Sequence, residues 1–129
     1  MSVRIVQLGS DRFPNEGPRL GTVRRPPRGV PKLSFASRNF YDVWLPNLAP
    51  SEALLKQGLS VADERGWKVF ARNYRAEMKA ADVLRIIETL ATLSHHMNFS
   101  VGCYCAVEAR CHRSLLRELL IEAGASVER

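Results

Sequence analysis

Every cysteine of this chain falls in one stretch that passes from an apolar, strand-like segment at residues 99 to 104, through a polar loop, into an amphipathic pattern at residues 114 to 123. A strand, a loop and a helix in that order carry the chain up a sheet and back across its face, which demands a layered α/β architecture. Leu115, Leu116, Leu119 and Leu120 mark the inward stripe of that helix, and Gly124 stops it.

The first half of the chain supplies partners for such a strand. Residues 3 to 8 read as a short buried strand closed by Gly9-Ser10, and residues 19 to 23 as a second. The adjacent Pro26 and Pro27 then forbid a regular helix or a central strand, leaving a stiff loop that carries Arg24, Arg25 and Arg28. Residues 40 to 45 have the aromatic and branched content of a third strand, ended by Pro46.

From residue 50 the period becomes helical. Ser51 is the N-cap of a short helix and Gly58 is expected just past its end. Trp67, Phe70, Tyr74 and Met78 form the stripe of a second helix. Val83, Ile86, Ile87, Leu90 and Ala91 form that of a third, which begins near Asp82 and is exhausted by Ser94-His95-His96. The expectation is one α/β domain over residues 1 to 129, with a small, mostly parallel sheet flanked by helices.

A chain of 129 residues is long enough to bury about two-thirds of its unfolded surface without disulfide staples. No apolar run approaches the ~20 residues of a membrane span, and the start lacks the pattern of a secretory signal, so a cytoplasmic protein with no membrane partner is expected. Three cysteines cannot all pair within one chain, and they are expected as thiols. Eight of the 19 basic residues stand in residues 1 to 40 against two acidic ones, so all of the net charge of +6 sits at the front. Such asymmetry suits an anionic partner, a phosphate-bearing small molecule or nucleic acid, and equally a solvated basic surface.

The cysteine-rich stretch supports several chemistries. As an anion site, the free amides of a helix starting near Ser114 would join Arg110, Arg113 and His112, with Arg24, Arg25 and Arg28 closing from the other loop. Arg28 and Arg113 would be the clamps on a phosphate. As a thiol site, Cys111 would be the nucleophile beside His112, since arginine and a helix N-terminus favour thiolate. In these two readings no cofactor is needed. As a metal site, Cys103, Cys105, Cys111 and His112 would hold zinc or an iron-sulfur cluster, because four soft ligands within ten residues are uncommon by chance. A domain without chemistry, serving only to bind a partner, is the remaining reading. No particular reaction and no oligomeric state follows from these residues.

Four elements in order carry a family resemblance. Residues 23 to 30 look like an early Arg-x-x-Pro-Arg-Gly element, and Trp44 followed by Pro50-Ser51 is similar to a tryptophan preceding a Pro-Ser helix start. Phe70, Tyr74 and Glu77 match a Phe-x3-Tyr-x2-Glu helix, and Cys111-His112-Arg113 a Cys-His-Arg signature. With these the chain resembles the YeaO-like family of uncharacterised bacterial proteins over most of its length, in the branch that carries Cys-His-Arg. That branch commonly has Cys-x-Glu where this chain has Cys103-Tyr104-Cys105. The resemblance implies a compact α/β domain and brings no established activity, cofactor or substrate.

Overall fold

The computed structural model describes residues 1 to 59 and 63 to 128. Four strands, β1 (Val3–Gln7), β2 (Arg19–Gly21), β3 (Val43–Trp44) and β4 (Phe99–Cys103), form one sheet in the order β1-β4-β2-β3, with every neighbouring pair parallel. β4 therefore lies between β1 and β2, and all five of its residues are buried. A strand paired on both edges and covered on both faces reads as a continuous buried run. The described elements are those of the expected α/β domain, with helices α1 (Glu52–Leu59), α2 (Glu64–Glu77), α3 (Ala81–Leu93) and α4 (His112–Glu122).

Alternate residues of a strand point to opposite faces, and β1 shows what covers each. Val3 and Ile5 join Phe99, Val101 and Leu20 against the helices, where Phe70, Tyr74, Ile87, Leu116 and Leu120 complete the main core. Val6 and Leu8 belong to a second cluster with Val23, Tyr41, Cys103 and Cys111, packed by Phe35, Phe40 and Tyr104. The segment between β2 and β3 thus takes the place of a helical layer on that side.

Local chemistry sets the helix ends. Leu54 N–H donates to Ser51 Oγ at 3.2 Å, the expected cap, and the Ser51 hydroxyl donates to Glu77 Oε2 at 2.5 Å, tying the start of α1 to the end of α2. Gly58 departs from expectation. It lies inside α1 instead of beyond it, because a Cβ there would sit 2.6 Å from Phe70 Cε2; the missing side chain lets the phenyl ring close on the helix. α4 begins at His112, two residues before Ser114, and ends before Gly124 at φ +92°. The third strand is shorter than residues 40 to 45, since Tyr41 turns inward to lie against Gly21.

Gly102 marks a close approach in the sheet. A Cβ at this position would stand 2.7 Å from Val6 O and 2.8 Å from Leu8 Cδ2, so β1 itself would have to shift. Gly102→Ala is expected to cost about 1 to 3 kcal/mol, read as a lowered urea midpoint at unchanged slope.

One ion pair is fully buried. Arg19 Nε and Nη2 donate to Glu16 Oε2 and Oε1 at 2.8 and 2.9 Å, while Nη1 donates to the carbonyls of Ser10 and Asn39. Ser100 Oγ, on β4, donates to the same carboxylate at 2.6 Å. Burial alone would raise the Glu16 pKa, but the hydrogen bonds from Arg19 and Ser100 outweigh it and hold the group at about 2.

Candidate metal centre

The cysteine-rich stretch lies at the carboxyl end of the central strand, where ligand sites of parallel sheets are found. Cys103 is the last residue of β4 and Cys105 follows in the turn beyond it. A single 3-10 turn, Glu108–Arg110, then leads into Cys111, which is the N-cap of α4 with φ −122° and ψ 147°. Arg117 on α4 fixes that turn by gripping Glu108 through two hydrogen bonds of 2.7 and 2.9 Å.

These elements bring the sulfurs together. Cys103 Sγ and Cys105 Sγ are 3.7 Å apart, and Cys105 lies outside the tighter group that Cys103 forms with Cys111 and His112. Cys111 Sγ is 3.8 Å from His112 Nδ1, and the donor atoms of Cys103, Cys111 and His112 all lie within 4.8 Å of one another. Cys103, Cys111 and His112 are buried, whereas Cys105 is exposed.

His112 is held by its other nitrogen. Nε2 stands 2.7 Å from the carbonyl oxygen of Thr22, a pure acceptor, so the ring's proton belongs on Nε2 and donates there. Nδ1 is left with its lone pair facing the sulfurs. Burial pushes the His112 pKa down to about 4, so the ring is neutral at neutral pH. Tyr74 packs against it at a centroid distance of 5.6 Å, fixing the ring plane from the α2 side. His112 thus offers a lone pair to the site, not the extra donor expected for an anion.

Arg113 is the main electrostatic surprise. Sequence placed it as a clamp at the site mouth, or else in solvent, but the side chain is 4% exposed and turned inward. Its Nη1 donates to the carbonyls of Cys103 and Cys105 at 3.2 and 2.6 Å, bracing the β4 end against α4. Its Nε has no hydrogen-bond partner, and among the described residues no carboxylate pairs with it. The charge of this guanidinium is felt by the Cys105 sulfur. Hydrogen bonds from Cys103 and then Cys111, aided by His112 and Arg113, pull the Cys105 thiol far down, while the Cys105 contact pushes Cys103 up to about 11. Hydrogen bonding to Cys103 and Cys105 raises Cys111 as well.

The remaining candidates are spread around this centre. Arg24 donates to the carbonyls of Pro50, Pro46 and Ala49, and Arg25 pairs with Glu52 at 2.7 Å. Arg110 pairs with Glu64 at 2.6 Å and lies over the Trp67 ring. The Ser114 hydroxyl donates to Cys111 O, and Arg28 is exposed. Sequence gave no sign of the Thr22 carbonyl, since a main-chain oxygen leaves no mark on residue type. Nor did it single out Tyr41, whose buried hydroxyl lacks a partner and whose ring lines an open cavity of about 830 Å³ with Phe35 and Trp44.

The family model described as the active DUF488-N3 subclade matches residues 3–124, nearly the whole chain. The protein belongs to the DUF488-N3a family. The match takes in every strand and helix described above, Cys103 to His112 included. No curated protein and no solved structure matches the chain. No helix among the described residues is long and apolar enough to cross a membrane.

Proposed function

We propose that this DUF488-N3a domain is a metal-binding protein whose Cys103, Cys105, Cys111 and His112 hold one zinc ion. The carrying observation is the convergence of the Cys103 and Cys111 sulfurs and the His112 lone pair within 4.8 Å of one another, the lone pair exposed by the Nε2 bond to Thr22, with the Cys105 sulfur 3.7 Å from that of Cys103 as the fourth donor. Metal-binding histidines are oriented in this way by a carbonyl on their far nitrogen.

Two of the donor separations suit the edges of a tetrahedral site. Zn–S bonds of about 2.3 Å and a Zn–N bond of about 2.0 Å put sulfurs about 3.8 Å apart and sulfur and nitrogen about 3.5 Å apart. The Cys103–Cys105 and Cys111–His112 separations of 3.7 and 3.8 Å lie close to these edges. The four ligands of an iron-sulfur cluster are spread over two or four irons, whereas the donor atoms of Cys103, Cys111 and His112 all lie within 4.8 Å of one another, so a single ion is the better fit.

Charge supports the same assignment. Three thiolates, a neutral imidazole and Zn²⁺ sum to −1, which the buried Arg113 guanidinium neutralises. A phosphate clamp of Arg28 with Arg113 has less support, because Arg113 spends Nη1 on two carbonyls and His112 its proton on a third. The Cys-His-Arg element of the YeaO-like branch then contributes two ligands and their counter-charge in three consecutive residues.

Protein purified under reducing conditions without chelator is expected to carry close to one equivalent of zinc by plasma mass spectrometry, and Cys103→Ser to carry almost none. Less than about half an equivalent, with no uptake on adding zinc to the reduced protein, would remove the proposal.

A further inference from the structure

The four donors differ in how they meet solvent, and that difference carries a second chemistry. Cys103, Cys111 and His112 are enclosed, at 6%, 2% and 6% exposure, while the Cys105 sulfur stands at the surface 3.7 Å from the enclosed Cys103 sulfur. We infer that Cys105 and Cys103 form a peroxide-reactive dithiol, with exposed Cys105 attacking and buried Cys103 resolving, so that oxidation to a Cys103–Cys105 disulfide reduces the peroxide and expels the metal. The expulsion of the ion rests on the metal assignment above; the disulfide itself does not.

The placement of the sulfurs sets the order of events. A hydroperoxide can reach Cys105 from solvent, whereas Cys103 and Cys111 are shielded by Val6, Leu8, Tyr41 and Phe40. Cys105 sulfur attacks one peroxide oxygen and the O–O bond breaks, leaving Cys105 as sulfenic acid and releasing hydroxide, or alkoxide from an organic peroxide, which takes up a proton. The Cys103 sulfur then attacks the Cys105 sulfur, forming the S–S bond and expelling the sulfenic oxygen as water. Two thiols and hydrogen peroxide give one disulfide and two waters, the sulfurs losing the two electrons that the peroxide oxygens gain.

Two features favour Cys103 over Cys111 as the resolving group. Cys111 is fixed at the N-cap of α4 and lies against His112 Nδ1, so its movement would disturb a helix start. Cys105 lies in an irregular turn, and its sulfur needs to close from 3.7 Å to about 2.05 Å of Cys103. Once both sulfurs are in a disulfide, Cys111 and His112 alone remain, too few to retain the ion.

The sequence makes the product easy to read. Trypsin cleavage at Arg85, Arg110 and Arg113 puts Cys103 and Cys105 on one peptide and Cys111 on the tripeptide Cys111-His112-Arg113. Reduced, zinc-loaded full-length protein treated with one equivalent of hydrogen peroxide is expected to lose about 2 Da within a single peptide while releasing zinc to a chromogenic chelator. Cys105→Ser should slow that reaction roughly tenfold or more, and Cys111→Ser should still form the link.

Metal-free reduced protein should give the same mass loss. If it does while the protein never held zinc, the metal assignment fails and the dithiol stands. A cross-link between the two peptides, an addition of about 32 Da at Cys105 without a disulfide, or an unchanged rate in Cys105→Ser would overturn the inference.

Discussion

If the proposed site holds zinc, stripping it with a chelator under reducing conditions is expected to lower the thermal midpoint by roughly 12 to 16 °C. An ion that binds only the folded state, at a thousandfold excess over its dissociation constant, adds about 4 kcal/mol. For a chain of this length each kcal/mol moves the midpoint by roughly 3 to 4 °C. In the proposed site the ion would bind donors at the end of β4, in the turn beyond it and at the start of α4, and it is the folded chain that holds these elements in one geometry. His112→Ala should melt at the same temperature with and without chelator, because its remaining sulfurs no longer complete the set. A chelator effect of equal size in His112→Ala and in the parent would point to an ion bound elsewhere. Scanning calorimetry of the four samples makes the comparison.

Arg19→Met is expected to be the most damaging single substitution outside the metal centre, costing about 3 to 5 kcal/mol. The side chain is fully buried, and its loss leaves the Glu16 carboxylate and the carbonyls of Ser10 and Asn39 without their strongest donor. Most of that cost is the unpaired charge on Glu16, so Arg19→Met with Glu16→Gln should recover a measurable part of it in urea titrations. The pair also sets an acid limit. The folded pKa of Glu16, about 2, lies below its ordinary value of 4.5, so its contribution is complete above pH 4.5 and is lost as the pH falls from there toward 2. In Glu16→Gln this part of the pH dependence should be missing.

Sequence and structure agree where side-chain pattern determines geometry. The stripe of Phe70, Tyr74 and Met78 is buried as periodicity requires, and residues 99 to 103 form the strand their apolar content demands. That Cys103, Cys111 and His112 come together was legible because they lie close in sequence, and folding needed only a turn to gather them. The role of Arg113 was not recognisable, since an arginine that braces two carbonyls looks in sequence like one that greets a phosphate. The same holds for Arg19, whose partners Ser10 and Asn39 act through main-chain oxygens. Gly58 misled for a different reason. Glycine ends helices often enough to be read as a stop, and only the position of Phe70 shows why it is needed within one.

The position of β4 in the sheet governs the order in which this protein can acquire structure. β1 and β2 are made first but are not neighbours; β2 can pair with the short β3, but the strand that joins it to β1 leaves the ribosome after α1, α2 and α3. Until residues 99 to 103 insert between them, both keep open edges, and the loop-closure entropy of joining Val3 to Phe99 remains to be overcome. The four proposed metal donors lie at the end of that late strand and just beyond it. Joining of β1 to β2 and assembly of the proposed centre therefore both wait for the last part of the chain, and a nascent chain halted before residue 99 has neither.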